Sequence, residues 1–403
     1  MQRLRLLTGG ESHGAAVTAI LSGVPAGLEV PRERLAAELA RRRELAGRSR
    51  RMKLETDAFT CEGGLRGGVT TGNPLVLRLP NAEAEQWARL LHPFEGARDE
   101  RITVPRPGHA DLAGVLKFAA VAEGRLRPAD IRDVWERASA RETAARVLAG
   151  SVCKLLLEAV GVDLTSFTYR LGKASLPRRR LLKLLGASSL RGLPLQAIEA
   201  SPLRVPDPAL EEHALAEIDA AKKQGTTLGG TIAAMAFGVP PGLGSFAQWD
   251  ERLDGRLAQA VMSIPAVKSV ALGAASALDK ADGSSYHDLI DQQGGGVTHA
   301  TNHAGGIAGG VTNGMPVVVT AFVKPIPTQQ QPPASVDLET GRTAKPPAQR
   351  SDITAVPAAA VVAETMVALV LADAMLAEVG GSHISELVQR VEKRRKLLSA
   401  LFR

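Results

Sequence analysis

The chain carries an internal repeat, and no other feature limits its fold as much. Gly63-Gly-Leu-Arg-Gly-Gly-Val-Thr-Thr-Gly-Asn-Pro74 returns as Gly305-Gly-Ile-Ala-Gly-Gly-Val-Thr-Asn-Gly-Met-Pro316, with eight of the twelve positions identical. Upstream, Ala19-Ile-Leu-Ser-Gly-Val-Pro-Ala-Gly-Leu28 is echoed by Ala234-Met-Ala-Phe-Gly-Val-Pro-Pro-Gly-Leu243. In both places a GVPxGL segment precedes a charged helical stretch and the glycine-rich turn. A β-branched run then follows, Pro74–Leu79 or Pro316–Ala321, each short enough to be a strand. Turn chemistry accounts for glycines, but not for three elements recurring in one order. The order predicts two similar halves, about 1–160 and 226–380, each a small sheet with helices on one face.

Helical spacing predicts helices at Arg32–Arg43, Ile131–Val160, Ala209–Lys223, Trp249–Val261 and Ala358–Glu378. Small residues dominate Arg137–Arg146, so neighbouring backbones can approach closely; Arg137 and Arg141 lie one turn apart. A central, buried helix fits that segment better than a solvated one. Leu171 to Val205 holds few motifs. Arg178–Arg180 and the basic C-terminal helix Val388–Arg403 read as solvated surface, with a membrane-surface or partner role as the alternative for the helix.

With 403 residues the chain can build one large domain or two fused halves, and 45% hydrophobic against 23% charged residues describes a folded globular protein. The start, MQRLRLLTGGESHG, has no apolar segment followed by a small-residue cleavage site. The longest apolar stretch, Val356 to Leu371, is interrupted by Glu364. A cytoplasmic protein with no membrane partner is expected. Cys61 and Cys153 are too few for a disulfide framework or a four-ligand zinc site and read as small buried residues. A net charge of +7 and a pI near 9.6 favour anionic partners. Aromatic residues at 3% leave few platforms for stacking bases, so a duplex-phosphate groove and a pocket for a small polyanion are the two readings.

Several motifs can carry chemistry. Gly10-Glu-Ser-His-Gly14 matches the G-x-S-x-G nucleophile elbow, but Ala15–Leu21 after it suits a strand as well as a helix. His13, next to Ser12 in the chain, is poorly placed as a triad base and better placed to meet a ligand. His299-Ala-Thr-Asn-His303 has the spacing of a helical metal pair, yet glycines flank it and no nearby ligand completes a site; an ordered polar loop is preferred and no metal is expected. Arg41-Arg-Arg43, Arg48 and Arg50-Arg51 read either as a solvated run or as a clamp for carboxylates and phosphates, since Gly47 leaves them at a helix end and in the loop beyond. Arg106-Pro-Gly-His-Ala-Asp111 sets His109 on a stiff turn beside an arginine and an aspartate, which suits proton transfer; a turn histidine bonded to backbone is the alternative. Lys324-Pro-Ile-Pro-Thr328 and Arg350-Ser-Asp352 add cations on proline-stiffened loops. No GxGxxG follows a strand, so a Rossmann site is not indicated.

Together these stretches resemble the chorismate synthase family. The resemblance runs from residue 4 to about 380, interrupted mainly between about 165 and 225. It rests on GESHG at 10–14, GVPAGL at 23–28, the arginine pieces within 39–52, PRPGHADLAGVLKF at 105–118 and ERASARETAARV at 136–147. In the second half it rests on QWDERLDGRLAQAV at 248–261, the AGGIAGGVTNGMP run, KPIPT, and RSDITAVPAA at 350–359.

The resemblance implies an α+β fold, a β-α-β sandwich of two similar halves with antiparallel sheets flanking a helical core. One domain would span 1–403, with 165–225 as a variable segment. It also implies a phosphate lyase of the shikimate pathway, which converts 5-enolpyruvylshikimate-3-phosphate to chorismate and phosphate by trans-1,4-elimination, redox-neutral overall yet dependent on reduced FMN. His13 and His109 would be the catalytic proton donors, and Asp352, near flavin N5, would take the substrate C6 proton. Arg42, Arg48, Arg51, Arg106, Arg137 and Arg350 would hold substrate, with Arg42 and Arg48 also associated with NADP. Flavin contacts would come from Arg137, Ala138, Ser139, Pro265, Ala266, Gly309, Lys324, Pro325, Ile326, Pro327, Thr328 and Arg350. A homotetramer is implied; nothing in the chain resembles an added reductase domain, so an external source of reduced FMN is expected, with NADPH as indirect reductant.

The physics is coherent. The substrate has a phosphate and two carboxylates and FMN adds another phosphate, so packing them together requires an arginine-lined, water-poor pocket. The chain departs from the family pattern at Phe118, where an aromatic hydroxyl is usual, at Pro265, usually polar, and at Leu45-Ala-Gly-Arg-Ser49 in place of GxGRG. Two other classes remain as alternatives: a basic nucleic-acid-binding protein, and a serine hydrolase centred on Ser12.

Overall fold

Interruptions in the helical runs, more than the runs themselves, place the elements of this chain. The computed structural model describes residues 3–48, 58–98, 101–122, 125–293, 296–347 and 352–400. The helices used below are α1 (Arg32–Arg43), α2 (Ala84–Leu91), α3 (Asp111–Lys117), α4 (Ile131–Ala138), α5 (Thr143–Ala159), α6 (Pro208–Gln224), α7 (Leu253–Met262), α8 (Val356–Val379) and α9 (Ile384–Ala400).

The helix expected over Ile131–Val160 is two helices. Ser139 sits between them with extended backbone (φ −67°, ψ 141°) and its hydroxyl accepts from the Arg141 amide, opening a short 3-10 turn over Ala140–Glu142. A serine offers the backbone this alternative to continuing a helix. The expected helix at Trp249 begins only at Leu253, because the Leu253 amide is spent on the Gly310 carbonyl. α6 opens on Asp207, which accepts from the Ala209 and Leu210 amides, and closes on Gly225 at φ 67°.

One antiparallel sheet has four strands, β1 (Arg5–Gly9), β2 (Ala16–Ser22), β3 (Thr60–Gly63) and β4 (Leu75–Pro80), in the order β1-β2-β4-β3. Its inner face is read directly from alternation: Val17, Ala19 and Leu21 on β2, and Leu75, Leu77 and Leu79 on β4, are buried. Each fully buried leucine contributes roughly 1.5–3 kcal/mol. The other sheet has five strands, β5 (Asp163–Leu171), β6 (Ala174–Ser175), β7 (Gly230–Phe237), β8 (Val267–Leu272) and β9 (Val317–Val323), in the order β6-β5-β7-β9-β8 and again antiparallel. Helix α5 packs on β2 and β4 and against α8, which packs on β5 and β7. The result is an α+β sandwich, two antiparallel sheets flanking a helical core, as expected.

α8 is long and apolar enough to cross a membrane, yet 94% of its most apolar 18-residue window is buried inside the molecule. A helix apolar all round belongs in a core. The close approach of α5 depends on Gly150, where a Cβ would lie 2.5 Å from that of Thr365. The charge on this core helix, Glu364, is fully buried and accepts from Arg41 at 2.9 Å, Lys154 at 2.6 Å and Ser166 at 2.7 Å.

The two repeated segments make the same bonds. The Thr70 hydroxyl donates to the Pro25 carbonyl (2.6 Å) and accepts from the Leu28 amide (2.9 Å); the Thr312 hydroxyl donates to Pro240 (2.7 Å) and accepts from Leu243 (2.9 Å). The C-terminal helix is not simply solvated. α9 buries Leu387 and Val391, Arg395 donates to the Gly238 carbonyl at 2.7 Å, and Ala26 pairs with the chain at His383 just before the helix.

Candidate active site

Helix α4 brings two histidines under control from consecutive positions. Glu136 faces His13. Its Oε1 lies 3.0 Å from His13 Nδ1, and its Oε2 accepts from the His13 backbone N–H at 2.8 Å and from the Ser12 hydroxyl at 3.1 Å. Glu136 is 3% exposed. Burial acts to raise its carboxyl, but the bonds from His13 and Ser12 outweigh it and hold the group below the usual carboxylate range. The His13 ring rests 4.7 Å from the Trp87 ring of α2 and lines a pocket of about 300 Å³ with Glu83, Gln86, Trp87 and Leu90.

Trp135, one residue earlier, lies under Arg106, whose guanidinium carbon is 4.1 Å from the ring centre. Arg106 donates from Nε to Asp111 Oδ2 at 2.9 Å and from Nη2 to Oδ1 at 3.1 Å, and approaches the His109 ring nitrogens at 3.1 and 3.3 Å. His109 Nδ1 hydrogen-bonds Asp111. Asp111 is fully buried at the start of α3; burial acts to raise its carboxyl, but the bonds from His109 and Arg106 hold it far below the usual range. Gly108 makes the turn at φ 80°, and its carbonyl accepts from Lys324 Nζ.

The proline-stiffened loop therefore docks on the histidine turn. Arg106 Nη1 donates to Thr328 Oγ1 at 3.3 Å, and the Cβ of Pro327 lies 3.4 Å from where a Gly108 Cβ would stand. The Ile326 carbonyl accepts from Thr227 Oγ1 (2.7 Å), and Pro325 packs against Gly229. The Lys324 amide donates to Ala266, a non-glycine residue at φ 71° that follows Pro265. Burial and the neighbouring Lys268 push the Lys324 ammonium below its ordinary value. From Thr227 the chain continues to Leu228, whose amide donates to the Ile353 carbonyl, while the Ile353 amide donates to Gly47. That ladder sets Arg48 against Asp352, Nη1 to Oδ2 at 3.0 Å.

The remaining expected residues divide. Arg137 donates to the Thr8 hydroxyl (2.6 Å) and the Gly10 carbonyl (3.4 Å), on the His13 side. Ala138 and Ser139 lie at the α4–α5 break. Arg42 is buried at that same joint, donating to Thr143 Oγ1 (3.0 Å) and the Ala140 carbonyl (3.1 Å). Gly309 is at a hairpin tip with open space around its α-carbon, and no described contact joins it to either histidine. Arg51 and Arg350 lie outside the described residues. Arg41 clamps carboxylates of the protein itself, Glu38, Glu199 and Glu364. Glu136, Trp135 and Trp87 were not legible as site residues; the only signal was the Glu136 carboxylate that opens the ERASARE stretch, with the Trp135 indole just before it.

The serine-hydrolase alternative finds no support at Ser12. Ser12 Oγ lies 2.9 Å from His13 Nδ1, the nitrogen that Glu136 also holds. A serine triad needs hydroxyl and carboxylate on opposite ring nitrogens. Gly10–Gly14 also joins two strands, β1 and β2, where an elbow needs a helix to follow. At the other motif, His303 Nδ1 meets the Tyr286 carbonyl at 2.9 Å; among the described residues no group of His, Cys, Asp or Glu is arranged to hold a metal.

Comparison with known proteins identifies the family. The sequence model of the family described as chorismate synthase matches residues 4–376. A chorismate synthase of Salinispora tropica is 46% identical over 409 aligned positions, covering 99% of this chain and 98% of that protein. One of Aquifex aeolicus is 43% identical over 396, covering 97% of each. A crystal structure of chorismate synthase superposes with a TM-score of 0.79 at 36% identity, over 100% of both chains.

Proposed function

The chain belongs to the chorismate synthase family of chorismate-forming enzymes, and from that premise we propose that it eliminates phosphate from 5-enolpyruvylshikimate-3-phosphate with reduced FMN bound beside the substrate. The observation that carries this reading is the docking of Lys324–Thr328 on the Arg106–His109–Asp111 turn, with Arg48 and Asp352 tied to the same loop through Thr227 and Leu228. Segments distant in sequence thereby converge, and their cations suit a phosphate and carboxylates.

The donor set suits the flavin as well. Burial and the nearby Lys268 disfavour the charge on Lys324, an effect that an anionic phosphate relieves. Arg137, Ala138, Ser139, Pro265, Ala266, Gly309 and Lys324–Thr328 are the described residues that would hold it. When bound, the flavin supplies the electron chemistry of a reaction that is redox-neutral overall. The chain supplies charge, position and protons. Arg48 orients the Asp352 carboxylate toward the C6 proton, while His109, locked by Asp111 and Arg106, and His13, locked by Glu136, offer ring nitrogens to the bound anions.

The enzyme acts as one domain of two similar halves, a reading that the matched bonds of Thr70 and Thr312 support. It works as a cytoplasmic homotetramer, with NADPH only an indirect reductant. On the outer face of the four-stranded sheet Leu7, Ile20 and Val76 stand opposite one another, an apolar stripe suited to assembly.

The test is anaerobic phosphate release from the substrate with dithionite-reduced FMN, beside NADPH plus oxidised FMN. Release with reduced FMN alone is expected. No release under either condition, together with salt-dependent binding to duplex DNA, would replace the lyase by a nucleic-acid-binding protein.

A further inference from the structure

We propose that Glu136 is the positioning residue of His13: its carboxylate fixes the ring with the proton on Nδ1, which leaves Nε2 as the nitrogen that exchanges a proton with the bound anions. This rests on the reading of His13 as a proton donor and adds the residue that makes it one.

The argument is an inventory of donors and acceptors. Nδ1 of His13 lies 2.9 to 3.1 Å from three oxygens, Ser12 Oγ and both oxygens of Glu136. An ionised carboxylate accepts only, so a bare Nδ1 would face two acceptors with nothing to share. The Ser12 hydroxyl can donate to Glu136 Oε2 at 3.1 Å, where the His13 amide also arrives at 2.8 Å, and its oxygen can then accept from Nδ1 at 2.9 Å. The proton must therefore sit on Nδ1. The carboxylate that receives all three donors is itself buried, 3% exposed on α4, and the Ser12 amide donates to the Glu136 carbonyl at 3.0 Å. Backbone and side chain of one residue thus register the 12–13 segment against the helix. On the far side, the Trp87 ring limits tilting of the imidazole.

Chemically, the doubly protonated ring gives up the Nε2 proton, the N–H electron pair remains on Nε2, and Nδ1 keeps its proton. The ring returns to one neutral tautomer only. A ring able to flip tautomer would spend part of its time with a protonated, non-accepting Nε2 after each delivery, and reprotonation would no longer be directed to that nitrogen.

Two measurements test the assignment. Nitrogen-15 NMR of histidine-labelled full-length protein, with the His13 signal identified by its loss in His13→Ala, reports the tautomer without any turnover. A neutral ring protonated on Nδ1 is expected; protonation on Nε2 overturns the proposal whatever His13 does in the reaction. The second is a kinetic cycle of parent, His13→Ala, Glu136→Gln and the double variant. Glu136→Gln is expected to lower kcat by about tenfold to a thousandfold with KM nearly unchanged, and to cost nothing further once His13 is gone. Losses that multiply in the double variant, or a Glu136→Gln enzyme with parental kcat, overturn it. Parental turnover in His13→Ala would instead remove His13 from the reaction, a failure of the underlying reading that the NMR result distinguishes from a failure of the positioning.

Discussion

Arg48 and Asp352, 304 positions apart in the chain, form an ion pair from Nη1 to Oδ2 at 3.0 Å, with 10% and 18% of their side chains exposed. Nothing local creates this pair. It exists because the Gly47 carbonyl takes the Ile353 amide and the Ile353 carbonyl takes the Leu228 amide, so three separate strands of sequence are pinned at one point. Under the function proposed above, this partly buried arginine would neutralise an arriving anion.

Arg48→Ala is accordingly expected to weaken substrate binding by roughly 2–5 kcal/mol, at least about thirtyfold in Kd, partly because Asp352 loses its counter-charge. Equilibrium titration of the variant against the substrate reads this directly. An unchanged Kd would return Arg48 to the surface run from which sequence composition could not separate it.

The same junction makes Gly47 indispensable. It sits at φ 78°, and a Cβ there would lie 2.8 Å from Thr354 Cγ2. Gly47→Ala is expected to destabilise the protein by about 1–3 kcal/mol and to shift the Asp352 loop, weakening substrate binding as well. Thr354→Ser deletes the clashing methyl and keeps the hydroxyl that accepts from the Val356 amide. Combined with Gly47→Ala it should recover the steric part of the loss in a thermal melt. No recovery would assign the whole cost to the left-handed backbone.

How much of this was readable in advance follows from the range of each interaction. α1 was placed at its observed bounds because Pro31 and the apolar spacing of Leu35 and Leu39 are local signals. The Arg106–Asp111 turn was visible for the same reason, all three functional groups lying within six residues. The break at Ser139 was not, since Ala138, Ala140, Arg141 and Glu142 are all good helix formers, and besides the Ser139 cap the turn is held from a distant strand, Thr8 bonding both Arg137 and Glu142. Glu136 was hidden for a related reason, its partner His13 being 123 residues away. Arg41 and Arg42 show the limit of motif reading within one run. Neighbours of identical chemistry go to the buried Glu364 and to the α4–α5 joint respectively, and only the fold decides which.

The buried charge network around Glu364 makes a stability prediction. Lys154, 9% exposed, bonds Glu364 and Glu38. Lys154→Met removes one cation from a fully buried carboxylate and should cost about 3 kcal/mol, the low end for breaking a buried pair because Arg41 stays. Adding Glu364→Leu removes the charge that was left, and the double variant should regain part of that loss in denaturant unfolding. A double variant less stable than Lys154→Met would mean that the remaining cations, Arg41 above all, depend on Glu364 more than Lys154 does.

Acid stability can be assigned at one residue of this network. Glu199 receives Arg204 at 2.9 Å and Arg41 at 2.9 Å; burial acts to raise its carboxyl, but bonds from Arg204 and then Arg41 bring it down to about 2 from an ordinary 4.5. The folded value lies below the unfolded one. Its stabilisation is therefore present in full above the ordinary value and is lost as pH falls from there toward the folded value. The melting temperature of Glu199→Gln should lie below the parent's near neutrality, and the gap should narrow below about pH 4.5 and close only near pH 2. Because 43% of the Glu199 side chain is exposed, salt should narrow the neutral gap as well. A gap that stays constant down to acid pH would show that Glu199 contributes through packing of its stem rather than through its charge.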